Sequence, residues 1–409
     1  MRLESFEIRN YKGVAHAKLD DLAKESVVTI SGRNGTGKSL ILEALVAAWT
    51  QRYAMHQRVG PWGHELVIQM SVNLTDEECE AIESWYKKAH GSPLQRTHEP
   101  TELSFEVHAT MTSSTIRQDS PVMGTLRNPQ FQRDNRFAVI DFLAANRQVP
   151  NTTKTAVDLG LLGMERVDQE RISMLDQVIN NRSPMSLPSV SSYLATLDYQ
   201  AFLAERQGLP VGNDYAILAK AFLAATDKTL REPEYDPTKG SNIEVELPTG
   251  HRHGLADLSS GEQEMLAMMY FVRRLSASGG ILCIDEPEQH LHPTLQAALF
   301  DSMRNLAQRA QVLVVSHSVN LISAAPLSGL VQVDSPVDET TNQIQRLNDH
   351  PDKVDLIGTL GLGPGDLFQS DLLLVVEGDT DAQWLRSLFP VELGRAHVLV
   401  AGSARQVME

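Results

Sequence analysis

The chain has 409 residues, more than the roughly 100 to 200 of an ordinary domain, which predicts two or three folded units. The composition, with 42% hydrophobic and 22% charged residues, is that of a soluble globular protein. No apolar run approaches the roughly 18 residues that span a bilayer, so we expect no membrane-spanning segment and no membrane partner. The formal net charge of -16 repels nucleic acid as a bulk field, so such a partner would need a local basic groove or bound metal ions.

The first residues lack the basic-then-apolar pattern of a secretory signal, and Cys79 and Cys283 are the two cysteines of the sequence. We therefore expect a cytoplasmic location.

Residues 1–150 are predicted to form a mixed α/β lobe. Leu3, Phe6 and Ile8 alternate with polar residues and predict an edge strand followed by a turn. Thr75 and Glu78 predict a capping box at the start of a helix. The other expected strands cover residues 27–30, 66–74, 103–110 and 137–143, and the expected helices cover residues 40–54 and 76–89.

Residues 151–235 are predicted to form an inserted helical lobe that could serve in dimerisation, because apolar residues recur there at helical spacing. Residues 236–350 return to the α/β pattern, beginning with a strand over residues 243–247 and a hairpin turn at Pro248, Thr249 and Gly250. Residues 351–409 are predicted to be a linker and an incomplete second α/β domain.

A glycine-rich loop between a strand and a helix is the strongest motif. It fits the pattern G-x-x-x-x-G-K-S in the structural context that a phosphate-binding loop requires. Lys38 is expected to contact the β- and γ-phosphates of ATP, and Ser39 to ligate Mg²⁺. The alternative is a chance glycine loop. The loop residues are Gly32, Arg33, Asn34, Gly35, Thr36, Gly37, Lys38 and Ser39.

A second motif places two acids at the end of an apolar strand, where Asp285 is expected to hold the metal and Glu286 to act as the general base. The alternative is that these acids cap a helix before Pro287. Cys283 in the same strand is interpreted as a small core residue.

Ser259, Ser260 and Gly261 open a predicted helix between these two motifs, and they resemble the signature motif of ABC ATPases. In that superfamily the signature serine and glycine bind the γ-phosphate of ATP held by the opposite subunit. The resemblance therefore implies that Ser260 and Gly261 contact ATP on a second copy of the chain, in an ATP-sandwich homodimer or a higher oligomer. The alternative is an ordinary serine N-cap.

His317 follows a predicted strand and looks like the ABC switch histidine, which reads the γ-phosphate and orients the attacking water. Residues 288–293 occupy the position of the ABC loop that crosses the dimer interface. Zinc at His290 and His292 is the weaker reading, because no third and fourth ligand lies nearby. Gln148 and Gln69 are weak candidates for the glutamine that links the metal to the helical lobe.

The motif order over residues 1–331 resembles the SMC and RecF-like branch of ABC ATPases, because strands and a helical lobe separate Lys38 from Asp285. The sequence of residues 6–13 also resembles that branch, in which such a strand precedes the phosphate loop.

Glu377 follows a predicted strand at residues 371–376, and Asp381 lies on the helix predicted over residues 379–389. This spacing can aim both carboxylates at one cation, and oxygen ligands favour Mg²⁺ or Mn²⁺. A capped helix after a core strand is the equal alternative. The next strand is expected at residues 397–401.

The flanking residues 361–371 and 398–404 make this segment look like the start of a Toprim domain, as joined to the ATPase in nucleases of the overcoming-lysogenisation-defect (OLD) family. In that family Toprim carboxylates bind two metals and cut nucleic acid. The family's Asp-x-Asp acids belong on a later strand, and no such pair follows Asp381. We expect half a metal site and no nuclease activity from these residues alone.

The expected fold class is thus α/β: an ABC/SMC-like ATPase sheet domain with an inserted helical lobe, followed by the start of a Toprim-like domain. The resemblance implies the Mg-ATP-hydrolysing subunit of an OLD-type nuclease, with DNA or another nucleic acid as partner and a role in defence against phage. The alternative is an ATPase sensor or scaffold that controls a separate effector protein. A transporter-energising ATPase is disfavoured by the inserted helices and the Toprim-like tail.

Overall fold

The structure is a computed structural model. It describes residues 1–50, 53–94, 102–118, 121–148, 157–180, 183–187, 189–210, 212–236, 240–276, 279–307, 309–347, 352–353, 356–357, 372–389 and 396–400. The strands are β1 (Arg2–Tyr11), β2 (Val14–Leu19), β3 (Val27–Ser31), β4 (Leu66–Asn73), β5 (Glu102–Ala109), β6 (Ser114–Gln118), β7 (Ile140–Leu143), β8 (Arg147–Gln148), β9 (Met185–Ser186), β10 (Thr229–Leu230), β11 (Glu234–Asp236), β12 (Gly240–Asn242), β13 (Glu244–Glu246), β14 (Arg252–Gly254), β15 (Ile281–Asp285), β16 (Gln311–Val315), β17 (Leu330–Val333), β18 (Ile344–Arg346), β19 (Leu372–Val376) and β20 (Ala396–Val400). The α-helices are α1 (Lys38–Thr50), α2 (Asp76–His90), α3 (Pro121–Leu126), α4 (Pro129–Asp134), α5 (Met164–Ile179), α6 (Val190–Arg206), α7 (Asp214–Thr226), α8 (Ser260–Ser276), α9 (Pro293–Ala307), α10 (Val319–Ala324) and α11 (Asp379–Leu388).

A six-stranded sheet in the order β18-β17-β3-β16-β15-β7 forms the centre of the fold. Its strands are parallel except for β18, which runs antiparallel to β17. Every residue of β3, β15 and β16 is buried, as expected for parallel strands covered on both faces. The sheet takes strands from both predicted lobes, residues 1–150 and 236–350, and the α/β fold class is confirmed.

A second, five-stranded antiparallel sheet has the order β2-β1-β4-β5-β6. The prediction of an edge strand at Leu3, Phe6 and Ile8 is wrong, because β1 pairs with β2 on one side and with β4 on the other. All three side chains are buried. The strand that covers the second side of β1 comes from much later in the chain.

The predicted helices and turns agree with the structure, with small shifts at their ends. The capping box is present, since Thr75 accepts from the backbone of Glu78 and the Glu78 carboxylate accepts from the backbone of Thr75. The predicted hairpin is confirmed by the antiparallel pair β13 and β14 around Gly250, which has φ +83°. The strand predicted over residues 137–143 is shorter at its start, because Arg136–Ala138 form a 3₁₀ turn.

The region predicted as a helical lobe contains α5, α6 and α7. Helix α7 packs against α8 and α9, which flank the six-stranded sheet. The short strand β9 pairs in parallel with β8, so the lobe is also hydrogen-bonded to the chain segment that follows β7.

Gln311 joins the two sheets through its buried side-chain amide. The Oε1 atom accepts from the backbone N–H of Leu3, and Nε2 donates to the carbonyls of Leu3, Leu22 and Glu25. Because buried backbone groups need hydrogen-bond partners, this side chain fixes the first strand against the start of β16.

The carboxyl-terminal described segment is a β-α-β unit in which β19 and β20 pair in parallel around α11. It has a small core of its own around Val376, Ala382 and Val398. The flanking residues 361–371 and 401–404, which contribute to the Toprim resemblance, lie outside the described residues. None of the helices in the described part of the chain has the length and apolar character needed to cross a bilayer.

Candidate ATP site

The phosphate-loop motif forms a tight loop between β3 and α1. Gly32, Gly35 and Gly37 have φ of +143°, +81° and +95°, conformations that favour glycine. A Cβ on Gly32 would lie 2.1 Å from the carbonyl oxygen of Val333, so the loop is packed directly against the end of β17. These glycines leave the loop backbone free to surround a phosphate chain at the start of α1.

Lys38 folds its amine back into this loop. Its Nζ donates to the carbonyls of Gly32 at 2.9 Å and Arg33 at 2.6 Å. Burial lowers the pKa of the Lys38 amine to about 8, and the neighbouring carboxylates of Glu286 and Asp285 act in the opposite direction. The loop thus holds a buried cation bonded only to neutral acceptors, which suits a site for anionic phosphate oxygens.

Ser39 and Asp285 are brought together by the fold, since Ser39 lies in the first turn of α1 and Asp285 ends β15. The Ser39 Oγ donates to Oδ1 of Asp285 at 2.9 Å across a sequence separation of 246 residues. Burial raises the pKa of the Asp285 carboxyl to about 6, although the Ser39 hydrogen bond lowers it. A hydroxyl and a carboxylate are a donor set that fits Mg²⁺ bound together with phosphate oxygens.

Glu286 and His317 meet just beyond the carboxyl ends of β15 and β16. His317 Nε2 lies 3.3 Å from Oε1 of Glu286. This hydrogen bond to His317 lowers the pKa of Glu286. The backbone of Glu286 has φ +46°, a conformation that is rare for residues other than glycine. The N–H of Glu286 donates to the carbonyl of Val315 at 2.8 Å.

Glu288 holds the backbone around His317, a role that the sequence did not reveal. Its Oε1 accepts from the Ser316 hydroxyl at 2.6 Å, the His317 N–H at 2.8 Å and the Ser318 N–H at 3.0 Å. The loop after β15 therefore fixes the position of the histidine that follows β16. The predicted interface loop and the predicted switch histidine form one hydrogen-bonded unit.

The candidate signature residues lie at the exposed start of α8. Ser259 caps that helix, since its Oγ accepts from the Glu262 N–H and donates to the Glu262 carboxylate. Ser260 is exposed, whereas Gly261 is buried. A Cβ added to Gly261 would lie 3.3 Å from the carbonyl oxygen of His290, so the helix packs closely against that loop. The N-cap alternative is thus present in the structure, and it leaves Ser260 accessible.

Arg147 is a further residue of the site that the sequence reading missed. Its guanidinium contacts the carbonyls of Asp285, Glu286 and Pro287 and the carboxylate of Glu264 on α8. Nothing in the local sequence around Arg147 marks it, and its partners become visible only when β7, β15 and α8 are assembled.

The two glutamine candidates lie in different places. Gln69 is in the middle of β4, in register with Glu7 and Glu106, and so belongs to the five-stranded sheet. Gln148 follows Arg147, is exposed, and its carbonyl accepts from the N–H of Leu187. Gln148 therefore stays a candidate for the glutamine that links the metal to the helical lobe. Gln69 is disfavoured for this role by its position in the other sheet.

The remaining candidate residues occupy ordinary structural positions. His292 contacts the hydroxyl of Thr294 at 2.9 Å, and His290 is exposed with φ +67°. Cys283 is buried in β15, and this burial raises the pKa of its thiol. No group of three or more histidine, cysteine, aspartate or glutamate side chains that could hold a metal occurs in the described ranges.

Glu377 follows β19 directly and is exposed. Asp381 is also exposed, and its Oδ2 accepts from the N–H of Gly378 at 3.2 Å, so it caps the first turn of α11.

Comparison with known proteins agrees with this geometry. Residues 128–323 match the family model described as "AAA domain, putative AbiEii toxin, Type IV TA system". Over 71 residues the chain is 37% identical to "Phosphate import ATP-binding protein PstB 2" from two Mycobacterium tuberculosis strains, CDC 1551 / Oshkosh and ATCC 25618 / H37Rv. These 71 residues are 17% of this chain, and the match spans only 24% of the length of those proteins.

Among solved structures, the chain is similar to the crystal structure of the SmcHead bound to the C-winged helix domain of ScpA. The TM-score is 0.50 with 15% sequence identity, and the match covers 84% of this chain and 97% of that one. This likeness concerns the fold. Residues 128–323 thus match an AAA domain, and the chain has an α/β fold similar to that of an SMC head.

Proposed function

We propose that this chain binds Mg-ATP at residues 32–39 and hydrolyses it with Glu286 as the general base. The observation that carries the proposal is the hydrogen bond between Ser39 and Asp285, because it joins the loop that would hold phosphate to the strand that carries the acids. Mg²⁺ would be held by Ser39 and Asp285 and would neutralise charge on the phosphates.

The other residues of the site have complementary roles in this proposal. Lys38 would leave the loop carbonyls and donate to the β- and γ-phosphates. Glu286, held next to His317, is placed at the end of β15 to accept a proton from the attacking water. His317 would donate toward the γ-phosphate and keep Glu286 in position.

A second copy of the chain would complete each site through Ser260 and Gly261. Two features support this part of the proposal: Ser260 is exposed at the start of α8, and Gly261 packs against the His290 carbonyl in the loop after Glu286. The start of a helix offers N–H groups and a favourable dipole to a phosphate. The partner's signature residues would then contact ATP from the side opposite the phosphate loop.

Mixing two defective variants tests the role of the second copy. Lys38→Ala removes the phosphate contact, and Ser260→Arg blocks the signature, so each variant alone is expected to lose ATP hydrolysis. An equimolar mixture should recover about a quarter of the wild-type rate, since half of the dimers are mixed and each has one intact site. Phosphate release measures the rate.

Two outcomes would contradict the shared site. Normal hydrolysis by Ser260→Arg alone would remove Ser260 from the mechanism, and no recovery in the mixture would show that the signature does not act across a dimer.

At a finer level, we propose that the ATPase belongs to an OLD-type nuclease that acts on DNA or another nucleic acid in the cytoplasm during defence against phage. The support is the sequence resemblance together with the parallel β19-α11-β20 unit, in which Glu377 follows the first strand directly. Glu377 and Asp381 would then contribute to a site for Mg²⁺ or Mn²⁺.

The second candidate is an ATPase sensor that controls a separate effector protein. The capping role of Asp381 favours it, because a carboxylate that is bonded to the N–H of Gly378 has an ordinary structural function.

Plasmid cleavage separates the two candidates. The protein encoded by the full gene is incubated with supercoiled plasmid, ATP, and Mg²⁺ or Mn²⁺. The nuclease proposal expects nicking that Glu377→Ala abolishes, whereas Glu80→Ala, a control on the exposed face of α2, leaves it intact. Absence of cleavage, or cleavage unaffected by Glu377→Ala, would contradict the nuclease proposal and favour the sensor.

A further inference from the structure

Arg147 uses every N–H group of its guanidinium in hydrogen bonds. The Nε donates to Glu264 Oε1 at 2.5 Å, and the two terminal nitrogens donate to four backbone carbonyls. These carbonyls belong to Ala144 at 3.1 Å, Asp285 at 3.2 Å, Glu286 at 3.1 Å and Pro287 at 3.2 Å. The planar fork of the guanidinium therefore reaches around the whole turn that carries the two acids.

The ion pair with Glu264 connects this turn to α8, the helix that begins at the candidate signature residue Ser260 and is here called the signature helix. The side chains of Arg147 and Glu264 are 1% and 8% exposed, so the pair is shielded from water. Glu264 lies one helical turn after Ser260 on α8. A rigid-body shift of the exposed start of α8 would therefore act directly on the Arg147 guanidinium.

The backbone around Arg147 provides a third connection. Strand β8 begins at Arg147 and pairs in parallel with β9, and the N–H of Met185 donates to the Asn146 carbonyl at 2.8 Å. Arg147 is thus the meeting point of the region predicted as the helical lobe, the signature helix and the turn of Asp285 and Glu286.

We propose that Arg147 is a positioning residue that holds the carbonyl of Glu286 in its productive place only when α8 presents Glu264. The inference rests on the proposed ATPase function. A buried guanidinium needs acceptors for all of its N–H groups, and three of the acceptors of Arg147 are the consecutive carbonyls of Asp285, Glu286 and Pro287. Since Glu286 has φ +46°, its backbone requires such external support to keep the carboxylate aimed at the attacking water.

The coupling has a direct physical reason. Arginine is a planar donor with fixed directions, so it cannot follow a displaced Glu264 and keep its bonds to residues 285–287 at the same time. When Ser260 and Gly261 of this chain contact the ATP that is held by the phosphate loop of a second copy, that ATP sets the position of α8. Arg147 would then make hydrolysis at one site depend on occupation of the signature residues of the same chain.

Two variants separate positioning from packing. Arg147→Lys keeps the charge but offers only a compact ammonium group, which cannot reproduce the fork. The double variant Arg147→Met with Glu264→Met removes both charges together, so that no unpaired charge stays buried. As a matched control, Arg273→Met removes another arginine–acid pair of α8, the one with Asp214 on α7.

Single-turnover ATP hydrolysis, the Kd for ATP and the thermal midpoint are measured for each variant. In Arg147→Lys and in the double variant, hydrolysis is expected to fall by about tenfold to 100-fold while the Kd for ATP changes by less than about threefold. The double variant should melt below the wild-type midpoint, because four backbone carbonyls lose their donor, but it should stay folded at the assay temperature. Arg273→Met should hydrolyse ATP at near the wild-type rate.

Near-normal hydrolysis in the folded double variant would overturn the positioning role, and so would an equal loss in Arg273→Met. These results are distinct from failure of the proposed function, which would appear as no hydrolysis by the wild-type protein or as normal hydrolysis by Glu286→Gln.

Discussion

Replacing Glu286 with glutamine is expected to lower ATP hydrolysis by about 10² to 10⁴-fold while ATP stays bound. The amide has nearly the same shape as the carboxylate but cannot accept the proton of the attacking water. The hydrogen bond from His317 lowers the pKa of Glu286, so at neutral pH the wild-type side chain is in the ionised, proton-accepting form. The phosphate-loop residues are unchanged, and the Kd for ATP should therefore stay close to the wild-type value.

Phosphate release and light scattering after size exclusion test this prediction together. Because the product state is not reached, the variant should accumulate as an ATP-bound dimer. Glu80→Gln, an exposed change on α2, serves as the control and should behave as wild type. Hydrolysis in Glu286→Gln within about threefold of wild type would show that another group acts as the base.

Gly32→Ala is expected to weaken ATP binding by about 100-fold or more, because the phosphate loop must be displaced to make room for the new Cβ. A 100-fold change in the Kd corresponds to roughly 2.8 kcal/mol, since each factor of ten is roughly 1.4 kcal/mol. The added Cβ would lie 2.1 Å from the Val333 carbonyl oxygen, and φ is +143° at this position. Either the phosphate loop or the end of β17 must move, and both changes disturb the surroundings of Ser39.

Gly35→Ala is the matched control, because φ there is +81° but no atom lies within 4 Å of the added Cβ. It should cost only the backbone strain of a left-handed alanine, about 1 to 2 kcal/mol, and so weaken binding less than Gly32→Ala. Titration with a fluorescent ATP analogue gives the affinities, and circular dichroism checks the fold. Equal affinities for the two variants would argue against the close packing of the loop on β17.

Local patterns were sufficient for the parts of the fold that depend on neighbouring residues. The strand, glycine loop and helix at residues 27–50 are contiguous, and so is the capping box of Thr75 and Glu78. The order of the parallel strands then brings Asp285, Glu286 and His317 to one edge of the sheet, as the motif order implied. The contiguous features need no knowledge of distant contacts, whereas the meeting of Asp285, Glu286 and His317 was expected from the family resemblance.

Long-range partners could not be predicted in the same way. The error on β1 arose because its hydrophobic alternation gives no information about the second neighbour, β4, which is separated from it by α1. Arg147 and Gln311 each satisfy buried carbonyls from other segments of the chain. The identity of a polar residue does not predict which distant carbonyls its side chain will bond. The hydrogen bonds around Glu286 could therefore be identified only from the three-dimensional structure.

The position of β3 in the six-stranded sheet has a consequence for how the protein folds during synthesis. Both neighbours of this fully buried strand, β16 and β17, come from residues 311–333. At about 5 to 20 residues per second, the ribosome needs on the order of tens of seconds to supply them after β3 has emerged. Until then the apolar β3 has unpaired edges, which attract other chains. Nascent chains halted before β16 should therefore depend on chaperones and fail to bind ATP, even though the complete phosphate loop is already outside the ribosome.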